Sequence, residues 1–233
     1  FFFFFFFFFF FSTSESADPV ASFCNGSNRT AQQSANIDAL LGDIAAGTIA
    51  GGFTATSRGT GADKIYGLGQ CRGDVDSSTC WSCINDAISS VSRFCPDKVD
   101  SKTWYDFCFL RYSPTNFFDS VDTSGVYLIN VENVTTDPTI FNQKLGSLMR
   151  EISSQAVKPP NRGLGKKISD ISTYVRLYGL VQCTRDLSPL NCAQCLSTAV
   201  SNFPAVCPNR RGCRVLYSSC YVRYELYPFF FPL

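Results

Sequence analysis

Apolar residues recur with a helical period at several points along this chain, and short strand-like runs separate them. Ile37, Leu40, Leu41, Ile44 and Ala45 fall at i, i+3, i+4, i+7 and i+8, one face of an amphipathic helix. A glycine- and threonine-rich stretch from Gly47 to Gly61 follows and reads as loop with short strands. Ile65 to Cys71 predicts a strand. Cys80 opens a second helix, whose apolar face is Cys83, Ile84, Ala87, Ile88, Val91 and Phe94 and which Pro96 stops. Trp104 to Tyr112 is aromatic-rich strand, and Val126 to Val131 is a further strand candidate.

The order then returns. Asp137-Pro138 pairs an N-cap with a first-turn proline. Ile140, Phe141, Leu145, Leu148, Met149 and Ile152 mark a helix, Pro159 to Gly163 a loop, and Tyr174 to Cys183 a strand. Cys195, Leu196, Ala199, Val200 and Phe203 mark another helix, and Val215 to Leu226 a final strand pair. Helix, strand, helix, strands, twice over, predicts an α+β layer of two helices on an antiparallel sheet in each half.

The cysteines make the repetition explicit. Cys71, Cys80, Cys83, Cys95 and Cys108 return, each 112 residues later, as Cys183, Cys192, Cys195, Cys207 and Cys220. Tyr66-Gly67-Leu68 returns as Tyr178-Gly179-Leu180, and Arg111-Tyr112 as Arg223-Tyr224. Five cysteines with all four of their spacings retained identify a tandem duplication. The expected division is a first domain over 17–127 and a second over 128–233.

An even count of 12 cysteines indicates an oxidising compartment. Phe1 to Phe11 is too short for a membrane span and suits the apolar region of a secretory signal, so residues 1–16 are set aside as a truncated signal-like segment. A low-complexity tract is the other reading. No transmembrane helix is expected in this chain. The net charge of +1, with no basic stripe, argues against nucleic-acid binding. The chain has no histidine, which removes Ser-His-Asp and Cys-His nucleophile systems and His-bearing zinc sites. Cys80-x2-Cys83 and Cys192-x2-Cys195 can be read as redox pairs or as a zinc site, but both readings leave the other cysteines unexplained, whereas structural disulfides account for all of them. Gly59 to Lys64 lacks the glycine spacing of a phosphate loop. No catalytic constellation, metal site or cofactor is expected.

The Cys-x8-Cys-x2-Cys core, with Tyr-Gly-Leu before it and Arg-Tyr-Glu-Leu-Tyr-Pro-Phe-Phe at the end, resembles the plant ginkbilobin-homologous or stress-antifungal domain. Tandem copies occur in cysteine-rich repeat secretory proteins, in ectodomains of cysteine-rich receptor-like kinases and in plasmodesmata-located proteins. The resemblance implies two helices on a five-stranded antiparallel sheet per unit, and a secreted, apoplastic or cell-surface location. It also implies the bridges Cys24–Cys95, Cys71–Cys80, Cys83–Cys108, Cys183–Cys192 and Cys195–Cys220. At the constant offset the position of Cys24 falls on Thr136, which leaves Cys207 to the additional Cys213; spacing alone does not fix connectivity.

Founding members of that family bind mannose through an Asn after the first cysteine, an Arg six residues before the last and a Glu five after it. Amide, guanidinium and carboxylate together can share a sugar's paired hydroxyls. Asn25 matches in the first unit, where Lys102 and Ser113 hold the other two positions. Arg214 and Glu225 match in the second, without the Cys-Asn start, so neither unit is expected to hold the full set. An exposed ion pair between Arg214 and Glu225 is the competing reading. Asn25, Asn28 and Asn133 each begin a glycosylation sequon, and a glycan on Asn25 would block its amide. Tyr227 to Phe231 is expected to pack between the units or to form a partner surface, and the units to meet near residues 126–137. Three functions remain open at this level: a secreted defence or stress protein, antifungal in role, recognising mannose-containing glycans; a protein-interaction module that is a partner or decoy of receptor-like kinase ectodomains; or a truncated ectodomain of a receptor-like kinase or plasmodesmal protein.

Overall fold

The computed structural model describes residues 18–231, so the signal-like segment over 1–16 lies outside the described residues. Two five-stranded antiparallel sheets carry the fold. The first is ordered β1-β4-β5-β3-β2, from β1 (Ala21–Asn28), β2 (Phe53–Arg58), β3 (Ile65–Cys71), β4 (Lys98–Trp104) and β5 (Cys108–Ser113). The second is ordered β6-β9-β10-β8-β7, from β6 (Gly125–Ile129), β7 (Leu164–Ser172), β8 (Val175–Cys183), β9 (Gly212–Tyr217) and β10 (Cys220–Glu225). Helices α1 (Ala31–Gly51) and α2 (Ser77–Phe94) pack on the first sheet. Helices α3 (Pro138–Ala156) and α4 (Pro189–Ser201) pack on the second, followed by the short α5 (Phe203–Val206). The expected α+β architecture is present in both units. The expected division at 127/128 falls inside β6, which pairs with β9 and so belongs wholly to the second sheet.

Local chemistry starts each helix. Thr30 and Gln33 form a reciprocal capping box at α1. Asp76, Asp137 and Ser188 cap α2, α3 and α4 through their side-chain oxygens, with proline in the first turn of the last two. Four stretches differ from expectation. Helix α1 runs through Gly47 to Gly51, because Thr48 is buried and the bare Gly47 lets the side chain of Thr54 in β2 lie against the helix. Gly52 then ends it at φ 72°. The polar β1 and β7 are edge strands with weak apolar alternation. In β4 the inward positions are Val99, Ser101 and Thr103, so a mostly polar segment still forms an interior strand.

Six disulfides lock this frame: Cys24–Cys95, Cys71–Cys80, Cys83–Cys108, Cys183–Cys192, Cys195–Cys220 and Cys207–Cys213. Cys213 takes the place of Ser101, whose hydroxyl lies 3.2 Å from the Cys95 sulfur in the first unit. The bridge to the edge strand is thereby exchanged for one within the turn that enters β9.

The constant offset of 112 does not hold throughout. Strand register sets Cys24 against Ser101 and Ile129 against Cys213, so the partner of Cys24 is Ile129, not Thr136, and the offset there is 105. In the first helices, Leu40 and Ile44 under Gly67 correspond to Leu148 and Ile152 under Gly179, an offset of 108. The second unit has therefore gained residues on both sides of α3, the later gain in the loop carrying Pro159 and Pro160.

The two units meet through the sheet faces that carry no helices. Gln70 Nε2 donates to Cys183 O (2.9 Å) and Gln182 Nε2 to Cys71 O (3.1 Å). Arg185 N donates to Gln70 Oε1 and Gly73 N to Gln182 Oε1, both at 2.9 Å. These four bonds obey a local pseudo-twofold. Beside them Leu68, Trp104, Phe109, Phe117 and Leu216 form a separate apolar cluster spanning both units. The contact thus lies on the sheet faces and on the connecting segment, rather than being centred on 126–137. The C-terminal segment returns to the first unit: Arg72 donates to Phe229 O and Asp74 accepts from Phe231 N.

Gln182→Ala is expected to lower unfolding free energy by about 2–3 kcal/mol, because it strands a buried N–H and a buried C=O; chemical denaturation of the disulfide-intact protein measures it. Replacing Cys207 and Cys213 together by serine should cost about 2 kcal/mol, against about 4 kcal/mol for Cys24 with Cys95, from the loop lengths each bridge closes. The same denaturation experiment ranks the two pairs.

Candidate functional site

Side chains alternate across a strand, so one sheet face of each unit collects the three positions that the family resemblance singled out. In the first unit, Asn25 lies on the edge strand β1 and is exposed, Lys102 lies on β4, and Ser113 ends β5. The last two are already occupied. Lys102 Nζ donates to Asp122 Oδ2 and Ser124 Oγ, both at 2.7 Å, and Ser113 Oγ donates to Asp100 Oδ2 at 2.6 Å. Arg111 adds a second cation to Asp122 at 2.9 Å. Burial by itself would raise the Asp122 carboxyl, but hydrogen bonds from Lys102 and Ser124 outweigh it and hold the group at about 2.

In the second unit the corrected register changes the outcome. Asn130, 105 residues after Asn25, donates its backbone N–H to Gly212 O at 3.0 Å and stands beside β9 at the level where Asn25 pairs with Asp100. By register, Asn130 stands in the second unit where Asn25 stands in the first, in line with Arg214 and Glu225 on the same sheet face. A constant offset pointed past Asn130 because of the residues gained around α3.

Gly212 lies between Asn130 and Glu225, and any side chain on it would collide with the Glu225 carboxylate. Glu225 accepts from Arg223 Nε at 3.0 Å through Oε1, while its buried Oε2 has no partner among the described residues. Arg214 is not paired with Glu225. Its Nη1 donates to Asp106 Oδ1 of the first unit at 2.6 Å, and its side chain is 16% exposed. The exposed Arg214–Glu225 ion pair is thus replaced by two separate pairs, Arg214–Asp106 across the unit seam and Arg223–Glu225 within β10.

The same register relates two of the sequons. Asn28 lies opposite Lys98 and Asn133 opposite Arg210, equivalent places at the outer end of each edge strand, and both asparagines are exposed. Among the described residues no group of three or more Cys, Asp or Glu is placed to hold a metal ion, and no helix is long and apolar enough to cross a membrane.

Two disulfide-built units, joined face to face and bearing a polar trio beside the seam, define a tandem extracellular module of the cysteine-rich type. The family model for salt stress response and antifungal domains matches residues 23–115 and 129–227, and the chain belongs to that family. It is 50% identical over 224 residues to cysteine-rich repeat secretory protein 55 of Arabidopsis thaliana, covering 93% of this chain and 85% of the relative. It is 41% identical over 218 residues to an antimicrobial ginkbilobin-2-like protein of Castanea crenata, covering 91% and 89%. Among solved structures, it resembles the tandem DUF26 ectodomain of the Arabidopsis thaliana cysteine-rich receptor-like protein PDLP8. That match has a TM-score of 0.79 and 26% identity, covering 90% of this chain and 98% of the other. Secretory relatives and an ectodomain neighbour agree with an extracellular protein.

Replacing Asp122 by asparagine should destabilise the protein in a pH-dependent way. Its carboxyl is depressed in the folded state, so the stabilisation is complete above about pH 4 and is lost as pH falls towards 2. Thermal unfolding of wild type and Asp122→Asn should differ most at neutral pH and converge near pH 2.

Proposed function

We propose that this extracellular protein acts in defence or stress by binding mannose-type glycans at Asn130, Arg214 and Glu225 of the second unit. The unpartnered Glu225 Oε2 carries the proposal: a buried carboxylate oxygen without a donor is costly, and a sugar hydroxyl would supply one. Arg214 would donate to a neighbouring hydroxyl, and the Asn130 amide, whose Oδ1 accepts from Glu132 N at 2.9 Å, would donate through its NH2. Asn25 takes the role of a glycan carrier, together with Asn28 and Asn133, on the outer edges of the two sheets. Glycans there would also keep unpaired strand edges from joining other chains. The antimicrobial name of the chestnut relative is in keeping with a defence role.

The second reading is a protein-interaction module with no sugar site, allied to receptor-like ectodomains. It is favoured by Asp106 holding Arg214 and by the low exposure of Glu225, 6%.

Calorimetric titration of the mature protein with mannose and mannan, before and after enzymatic N-glycan removal, separates the readings. Saturable binding weakened about tenfold or more by Arg214→Ala or Asn130→Ala supports the glycan site, the expected size for loss of one charge-assisted or bidentate hydrogen bond. Binding that strengthens in Asp106→Ala identifies that carboxylate as a competitor for Arg214. Absence of binding in every form, Asp106→Ala included, overturns the glycan reading in favour of the protein partner.

A further inference from the structure

A second polar recess lies away from the trio and shares no residue with it. It is a groove of about 450 Å³ where Gly73 of the first unit faces the α3–β7 loop of the second, and its polar lining includes Arg162, Lys166, Arg185, Asn161 and Gln155. An adjoining recess of about 310 Å³ shares Arg162 and Arg185 and adds Lys158. No aspartate or glutamate lines either one. That is unusual for a chain of net charge +1, in which most other clustered cations meet carboxylates.

The cations are held in place but not neutralised. Arg185 Nη1 donates to Gly51 O at 2.5 Å, whereas its buried Nε has no partner among the described residues. Lys166 Nζ donates to the carbonyl of Phe231 at 2.6 Å, a neutral acceptor. Arg162 sits at φ 48° on the turn into β7, exposed and without an ion pair among the described residues. The carboxylate whose charge reaches Lys166, Asp74, is buried and engaged by Arg72 at 2.6 Å. Burial first, and then the charge of Arg162, hold the Arg185 guanidinium below its ordinary value. Like charges facing one another in a recess lined by no carboxylate among the described residues make a site ready for an anion.

We infer that this groove binds an oxyanion-bearing ligand, its chemistry that of a short uronate chain or an isolated sulfate or phosphate group. The exposed guanidinium fork of Arg162 matches a carboxylate or phosphate in two-point contact, while Arg185, Lys166 and Lys158 supply further positive charge. The volume suits a ligand of a few sugar rings.

Trigalacturonate and sodium sulfate, titrated separately into the full chain at low salt, distinguish the sources. Trigalacturonate binding well above sulfate assigns the groove to a chain of acidic sugars; comparable binding of both assigns it to a single small oxyanion. In either case Arg162→Asn together with Arg185→Gln should weaken binding at least tenfold, and affinity should fall as sodium chloride rises. Arg162→Asn alone is the safer variant, since asparagine tolerates the left-handed backbone and breaks no contact between units. It should weaken binding several-fold with unchanged thermal unfolding. Undetectable binding of both probes, or equal affinity in wild type and Arg162→Asn, overturns the inference.

Discussion

Gln70 and Gln182 hold each other's unit by the backbone, and the arrangement of the whole molecule rests on that exchange. A glutamine amide has a donor and an acceptor, and each of these spends the donor on a carbonyl and the acceptor on an N–H of the opposite unit. Both side chains are buried, so water does not replace a lost bond. The duplication makes this possible: a surface copied onto both halves is self-complementary about a twofold, as in a symmetric dimer. With these faces together, the helices must lie on the outside, and residues that would be solvent-facing in an isolated unit, such as Leu68 and Leu180, become core.

Face-to-face packing also determines what each polar trio meets. In the first unit the connecting segment folds over the sheet, and Asp122 takes up both Lys102 and Arg111. In the second unit, Asp106 reaches only Arg214, and Glu225 keeps one oxygen without a partner. Two copies of one scaffold have thus diverged, one trio being used to brace the junction and the other left closer to a binding arrangement. The disulfides allow this divergence because they secure each sheet independently of its exposed face. Even the change from Cys24–Cys95 to Cys207–Cys213 leaves the strand order intact.

The C-terminal aromatic segment belongs to the same logic. Phe229 and Tyr227 lie against the guanidinium of Arg223, Phe230 packs edge-on to Tyr178, and Phe231 lies near Phe107 and Arg72 of the first unit. It is a strap over the seam rather than a free apolar patch. It also borders the cationic groove, since the Phe231 carbonyl is what Lys166 contacts.

Much of this was legible in the chain. Four repeated cysteine spacings establish the duplication, and with the family resemblance they carry the helix pair, the sheet and the bridges, because a disulfide ties secondary structure to covalent positions that spacing records directly. Amphipathic helices were legible for the same local reason: Leu40, Ile44, Leu148 and Ile152 show their period whatever they pack on. The edge strands β1 and β7 were not, since one-sided pairing demands little apolar alternation, nor was the continuation of α1 through Gly47, which depends on Thr54 lying across it. Asn130 was hidden because insertions shift sequence position without shifting strand register, and register is a property of paired backbones. The partners of Arg214, Glu225 and Arg185 likewise come from segments far away in the chain. Sequence by itself determined the scaffold and its compartment, through local periodicity and covalent spacing; tertiary structure alone decided which charges meet, because that depends on how two sheet faces close on each other.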